Sequence, residues 1–403
     1  MRVIVSSRLR NYNMGEKVSI KELLDGVDVE WKALGEIADI GVGSKPNIIY
    51  ENIHNFEYIN AGTTNSGYTD NFNCDGDTVT TPSRGQGGIG FIGYQKNKFW
   101  LGSLCYKIRA KKDIDLLSKY IYYFLEKNNF LILSLKKEGG VPAVNRSDLI
   151  KLSIPVPNPD IQSEIVRILD NFTELTAELT AELTARKKQY SYYRDKLLTF
   201  EENQVELKSL GEIGEVRMCK RILKSQTSEI GDIPFYKIGT FGKKANAYIS
   251  REIFNEYKDK YNYPKIGEIL ISASGTIGRS VIFDGKNAYF QDSNIVWIEN
   301  DESQVLNKYL FYCYQIINWN VSEGGTIQRL YNNNLKKVKI PIPYSNNEKK
   351  SLKEQKRIVS ILDKFDTLTN SISEGLPKEI ELRQKQYKYY RDKLLDFPKI
   401  KEV

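Results

Sequence analysis

The chain writes one phrase twice: QYSYYRDKLLTF (Gln189 to Phe200) returns as QYKYYRDKLLDF (Gln386 to Phe397), matching at ten of twelve positions, 386 − 189 = 197 residues on. The repeat extends upstream. EIVRILDNFTELT (Glu164 to Thr176) answers to RIVSILDKFDTLT (Arg357 to Thr369), and LSIPVP (Leu152 to Pro157) to VKIPIP (Val338 to Pro343). EGGVPAVNRSDL (Glu138 to Leu149) faces EGGTIQRLYNNNL (Glu323 to Leu335), and VEWKALGEI (Val29 to Ile37) faces VELKSLGEI (Val205 to Ile213). These blocks enclose two inserts, about Ala38 to Lys137 and Gly214 to Ser322, that barely resemble each other. A chain built this way must fold as two like units with one frame and two different fillings. One further echo, ELLDGVDVEWKALGEI (Glu22 to Ile37) against KLLTFEENQVELKSLGEI (Lys196 to Ile213), places the tail of the unit at the N-terminus. The repeat therefore closes cyclically, which predicts a pseudo-twofold tandem repeat whose N- and C-terminal regions meet in space.

At 403 residues the chain is long enough for two or three domains, each with its own core. Lys and Arg number 59 against 51 Asp and Glu, a net charge of +8 that favours a polyanionic partner, nucleic acid first. Cys74, Cys105, Cys219 and Cys313 lie far apart with no C-x-x-C pair, which argues against a zinc site or a disulfide framework and for a reducing, cytoplasmic setting. No apolar stretch approaches the ~20 residues of a membrane span, and the start MRVIVSSRLRNYN lacks the apolar core of a signal peptide.

The block after each insert reads as a long helix. Ile161, Ile165, Ile168, Phe172, Leu175 and Leu179 alternate steps of four and three, the spacing of a coiled-coil seam, and Ile358, Ile361, Phe365, Leu368 and Ile372 follow suit. Pro377 in EGLP predicts a break or kink in the second helix. The inserts mix strand-like runs such as EILISAS (Glu268 to Ser274) with Gly- and Asn-rich loops. The expected fold class is two α/β (α+β) binding domains separated by two long helices forming an antiparallel coiled-coil spacer. The expected boundaries are an N-terminal segment 1–25, a first domain 26–157, a helical spacer 158–203, a second domain 204–345, and a C-terminal spacer and tail 346–403.

The phrases SEIVRILDNFTELTAELTAELTA, QYSYYRDKLL, LLDGVDVEWKALGEI and IVSILDKFDTLTNSISEGLPKEIELRQKQYKYYRDKLLDFPK resemble the conserved regions of the specificity (S) subunits of type I restriction-modification systems. Within that family the resemblance is to the group with TAEL repeats in the central spacer. It implies that each insert is a target recognition domain reading one half of a bipartite site on double-stranded DNA. The helices would set the gap and dock two modification (methyltransferase) subunits, with restriction subunits joining through the complex. It also implies a chain that is non-catalytic and holds no cofactor, S-adenosylmethionine, ATP and Mg being expected in the partner subunits.

The residues admit two other readings, a coiled-coil scaffold whose inserts bind protein and a nuclease fused to a recognition module. The nuclease reading leans on Asp160 with the pair Glu256 and Lys258, a pattern common by chance in charged chains. The single histidine, His54, sits in a polar stretch, and GGIGFIG (Gly87 to Gly93) lacks the strand and helix that a cofactor loop requires.

Base readout needs paired hydrogen-bonding groups on loops that reach the major groove. In the first insert that points to Thr64 and Asn65, and to Ser83, Arg84 and Gln86 in the glycine-rich TPSRGQGG, with Lys45 and Arg146 as phosphate clamps. In the second it points to Lys220, Arg221, Lys243, Lys244, Ser274, Thr276, Arg279, Gln328 and Arg329. Helical spacing lets Tyr190 and Tyr193 pack in the seam with Leu197 while Tyr192 and Arg194 point elsewhere, and duplication of outward as well as seam residues nominates Tyr190, Tyr192 and Arg194, with Tyr387, Tyr389 and Arg391, as two equivalent partner-docking faces. The four-residue TAEL repeat in TAELTAEL (Thr176 to Leu183) suits a ruler: one unit lengthens a helix by about 6 Å, the rise of one or two base pairs.

Overall fold

The computed structural model describes residues 23–201, 204–319, 329–371 and 373–398. These form two compact units. Unit 1 takes the chain up to Leu179 and again from Ile380, and unit 2 runs from Thr180 to Glu379. The division therefore crosses both long helices instead of falling at the expected domain edges, and in the first it lies between two TAEL units.

The frame is built from segments far apart in sequence. In unit 1, β1 (Glu30–Ala33) and the short helix α1 (Leu34–Ile37) precede a first sheet strand, β2 (Ala38–Val42). Strands β3 (Phe56–Ile59), β4 (Tyr68–Thr69), β5 (Thr78–Pro82), β6 (Gly93–Gln95), β7 (Trp100–Leu101) and β8 (Cys105–Ala110) follow. Then come α2 (Ser118–Lys127), α3 (Phe130–Ser134), α4 (Arg146–Leu149), β9 (Ser153–Val156) and the long α5 (Pro159–Leu198). β1 pairs antiparallel with β9, Glu30 opposite Val156, so the two halves of the frame close on each other around the insert. The insert holds a four-stranded sheet in the order β2-β8-β5-β6 and a three-stranded sheet β4-β3-β7 whose β3–β7 pair is parallel.

Unit 2 repeats this topology. Strand β10 (Val205–Ser209), helix α6 (Leu210–Ile213), β11 (Glu215–Met218), β12 (Ile233–Tyr236) and β13 (Tyr248–Ile249) lead to an additional helix, α7 (Arg251–Lys260). β14 (Ile269–Ser272), β15 (Ser280–Ile282), β16 (Tyr289–Phe290) and β17 (Ile295–Glu299) complete the insert, followed by α8 (Asn307–Tyr314), α9 (Asn332–Lys337) and β18 (Lys339–Pro343). The sheets are β11-β17-β14-β15 and β13-β12-β16, again with the β12–β16 pair parallel, and β10 closes on β18. The inserts differ as sequences yet fold alike, because the strands are fixed by burial and not by identity. TVTTP in β5 and ILIS in β14 are both fully buried, and backbone pairing is indifferent to which compact or β-branched side chain fills the site.

Each unit fixes a short helix, α2 or α8, to the long helix that follows in the same way. Tyr123 donates to Asp170 at 2.6 Å and Lys119 pairs with the same carboxylate at 2.8 Å; Tyr312 donates to Asp363 at 2.6 Å, joined by Lys308 at 2.8 Å. The buried phenols of Tyr120 and Tyr309 donate to the carbonyls of Pro155 and Pro341, both at 2.9 Å. On α5 the fully buried positions are Gln162, Ile165 and Leu169, and on α10 (Glu348–Asn370) they are Gln355, Ile358, Leu362 and Thr369. Ile161, Ile168 and Ile361, expected in the seam, are only half-buried. The helix serves its own recognition domain as well as a second helix, so the most buried stripe is rotated from the one a single seam predicts.

The second long helix ends at Asn370 and resumes as α11 (Gly375–Leu394). Pro377 does not break it, since it lies in the first turn of α11, where its missing N–H has no intrahelical partner to lose. The break belongs to Gly375, at φ +79, where an added Cβ would come within 2.3 Å of the Thr367 carbonyl. Inside unit 1, the C-terminal part of α11 meets the N-terminal frame as cyclic closure requires. Leu394 and Leu395 share a core with Leu34, Ile165 and Leu169, Phe172 stacks on Tyr390 at 5.0 Å, and Trp31 donates to the Pro398 carbonyl at 3.2 Å. All four cysteines are buried free thiols, and burial pushes Cys105, Cys219 and Cys313 up to about 12. Among the described residues no helix is long and apolar enough to cross a membrane, and none of their His, Cys, Asp and Glu form a group of three or more able to hold a metal ion.

Candidate nucleic-acid interface

Three loops converge in each unit: the one after β3 or β12, the one after β5 or β14, and the one before α4 or α9. In unit 1, Ser83 donates its amide to Leu104 and accepts from the Val144 amide, both at 2.9 Å. Arg84 forms a bridge with Ala143, and Gly85 donates to the Pro142 carbonyl at 3.0 Å. The loop after β3 presses on this turn: a Cβ on Gly88 would meet the Ala61 carbonyl at 2.0 Å, so only glycine admits the approach. In unit 2, Ala273 donates to Asn294 and accepts from Leu330, both at 2.8 Å, and Ser274 bridges Arg329. Arg279 reaches across to the Phe241 carbonyl at 3.1 Å, tying this turn to the loop after β12. The repeated frame, through the segments before α4 and α9, thus clamps the backbone of a variable turn in both units.

The candidate residues divide accordingly. Thr64, Arg84 and Gln86 are exposed on the converging loops of unit 1 and Asn65 is half-buried there, whereas Ser83 is buried beneath them. Lys243, Lys244 and Thr276 are exposed on the loops of unit 2. Ser274 is buried and donates to Asn294 at 2.7 Å, so it supports the turn instead of facing outward. Arg329 donates to the Ser293 hydroxyl at 2.8 Å, and Gln328 lies outside the described residues.

Lys45 and Arg221 hold equivalent exposed places, each three residues past the pair Val42 with Tyr106 or Met218 with Val296. Lys45 flanks the root of the β3 loop, where the Gly43 amide donates to Gly102 and the Gly102 amide to Ile59. Arg221 lines a hollow with Lys224, Lys237, Gln291 and Asp292; Lys224 and Lys237 were not singled out from sequence. Lys220 lies 5.0 Å over the Tyr261 ring. Arg146 does not join the loops. Its Nε donates to the Ile40 carbonyl at 3.0 Å beside a hollow formed by the frame, a reach of 106 residues that no local pattern signals.

The six docking candidates of the two repeated phrases divide between held and outward positions. Tyr190 is buried, donates to Gln315 at 2.9 Å, and is pushed up to about 12 by burial. Tyr387 and Arg391 both engage Glu126, the arginine at 2.9 Å. Tyr190 belongs to the core of unit 2, while Tyr387 and Arg391 are half-buried and spend their polar groups on Glu126. Arg194 is held by Asp195 at 2.8 Å, leaving Tyr192 and Tyr389, 60% and 59% exposed, as the outward pair.

The chain matches the type I restriction modification DNA specificity domain twice, over residues 26–186 and 202–382. It is 50% identical over 391 residues to a putative type I restriction enzyme specificity subunit of Haemophilus influenzae, covering 94% of this chain and 98% of the relative. It is 35% identical over 422 residues to the specificity subunit of the Escherichia coli type I restriction enzyme EcoR124I/EcoR124II, covering 97% and 100%. The crystal structure of an S subunit of a type I restriction-modification system from M. genitalium shares the fold, with a TM-score of 0.65 at 19% identity over 93% of this chain and 98% of that one. Two matched domains on one repeated frame, with relatives aligned end to end, place this chain in the family of type I restriction-modification DNA specificity subunits.

Proposed function

We propose that the chain selects DNA sequence for a type I restriction-modification complex, each unit reading one half of a bipartite duplex site through its converging loops. The carrying observation is that the two units hold the same three-loop arrangement on the same frame while displaying different side chains there. Direct readout asks for that combination: a fixed scaffold and variable hydrogen-bonding groups at the groove. The stems dock two modification subunits, with Tyr192 and Tyr389 as the outward residues of the repeated phrase, and restriction subunits join through that complex. The chain itself is non-catalytic, and S-adenosylmethionine, ATP and Mg belong to the partner subunits. The TAEL units in α5 set the unread gap, the stem helices pairing as an antiparallel coiled coil.

The test is copurification with the modification subunits followed by methylation mapping on genomic DNA. The expected result is one bipartite sequence with a fixed gap. Deleting Thr180 to Leu183 should keep both half-sites and shorten the gap by about one or two base pairs, from the helix rise. Methylation without a defined sequence would favour a protein-binding scaffold, and metal-dependent cleavage by the purified chain would favour a nuclease.

A further inference from the structure

The recognition turns of the two units have different lengths and sequences, yet hydrogen bonding fixes their correspondence residue by residue. Ser83 and Ala273 are equivalent, since each donates its amide to the residue just before a strand, Leu104 before β8 or Asn294 before β17, and accepts from the segment before α4 or α9. Two residues later, Gly85 and Gly275 both adopt positive φ, +126 and +67. A second contact agrees. A Cβ on Gly85 would lie 3.8 Å from Ala61, and one on Gly275 would lie 3.5 Å from Ile238. Ala61 and Ile238 each follow by two residues the last parallel pair of their sheets, Ile59 with Leu101 and Tyr236 with Phe290.

The next residues are Gln86 and Thr276, and both are exposed. We propose that Gln86 and Thr276 are equivalent specificity-determining residues, each reading one base pair of its own half-site from the tip of a glycine-hinged turn. The proposal rests on the DNA-reading function above and assigns the readout to one position per unit. The chemistry of the tips differs. Gln86 presents an amide, the paired donor and acceptor that match N6 and N7 of adenine in the major groove, while Thr276 presents one hydroxyl and a methyl that fits the thymine methyl.

The turns are rigid enough to aim these groups. The Ser272 hydroxyl donates to the Thr276 carbonyl and Gly278 donates to Ser272 at 3.0 Å, while Gly85 is held by Pro142 at 3.0 Å. By contrast Arg84 and Ser274, one residue before the hinge, are drawn into backbone bridges with Ala143 and Arg329. The residue after the hinge is the first that both units present outward, because left-handed backbone at the glycine reverses the chain there.

The experiment uses the full chain copurified with its modification subunits and unmethylated genomic DNA as probe. Gln86→Ala should relax one position, an A·T pair, in one half-site, with discrimination there falling about tenfold or more, and leave the other half-site intact. Thr276→Ala should relax one position in the other half-site only. The exchange variants Gln86→Thr and Thr276→Gln should shift the preferred base at those same positions instead of only relaxing them. Both side chains are exposed, so equal copurification yield is expected for every variant. A native methylated sequence in Gln86→Ala or Thr276→Ala overturns the assignment while leaving DNA reading in place, as does any single variant that alters both half-sites. A wild-type complex that methylates no defined sequence overturns the underlying function itself.

Discussion

Gln162 is a neutral, fully buried side chain at the first turn of α5, and it satisfies three backbone groups at once. It accepts from the Leu117 amide at 2.9 Å and donates to the carbonyls of Asp115 at 3.0 Å and Pro157 at 2.8 Å. Gln355 does the same work in unit 2, accepting from Leu306 at 2.9 Å and donating to Gln304 at 2.9 Å. Each glutamine therefore accepts from the backbone N–H of the N-cap residue, Leu117 or Leu306, the bond that the Glu or Gln of a capping box would otherwise make from within the helix. Replacing Gln162 with Leu removes the acceptor of the part-buried Leu117 amide and the donor to the carbonyls of Asp115 and Pro157, a loss of about 1–3 kcal/mol. Hydrogen exchange should show faster exchange in α2 and unchanged exchange in α8, with Gln355→Leu giving the reverse. Neither glutamine is recognisable from its own neighbourhood, since a polar residue near a helix start reads as solvated. Comparison of YIYYFLEK (Tyr120 to Lys127) with YLFYCYQI (Tyr309 to Ile316) would have found the buried tyrosines, but the offset there is 309 − 120 = 189, against 363 − 170 = 193 on the stem. Insertions between the landmarks hide the correspondence.

At the scale of elements, the long helices and the strands beside IPVP and IPIP were legible because apolar periodicity and repetition act locally. The helix break was foreseen but attributed to Pro377, the residue with the strongest intrinsic penalty; the position of that proline in the first turn of α11 removes the penalty, and the turn geometry falls to Gly375. The two residues should therefore behave oppositely. Gly375→Ala forces an L-residue into left-handed backbone at about 1–2 kcal/mol and adds a contact with the Thr367 carbonyl that must be relieved by movement. Pro377→Ala should change stability by no more than about 0.5 kcal/mol. Chemical denaturation of the two variants, followed at unit 2, measures the contrast, and equal effects would show that the proline matters after all. The converging loops were legible only as a set of glycines and polar residues. Burial of Ser83 and Ser274, and capture of Arg146 by the Ile40 carbonyl, depend on segments brought together from across the chain.

Across the whole molecule, the tandem organisation was readable from repetition alone, whereas the common topology of the inserts was not, because sheets conserve the pattern of burial and not the residues that fill it. The expected boundaries followed the repeated blocks, whereas the two compact units divide within the long helices. Unit 2 is one unbroken stretch of chain, while unit 1 is completed by residues synthesised after all of unit 2. Leu394 and Leu395, both in the core of unit 1, are within its final segment. A domain folds as a unit once all its contacts are available, so biosynthesis should run against the order of the sequence: unit 2 reaches its native state first, and unit 1, synthesised earlier, waits with its helix-facing surface uncovered. Nascent chains stalled with Glu379 outside the exit tunnel should resist protease across unit 2 and be cleaved within unit 1, and release of the remaining residues should protect both. A truncation that removes the residues from Ile380 onward would then be felt in the unit synthesised first, which makes the closing turns of α11 a checkpoint on the folding of a domain begun upstream of all of unit 2.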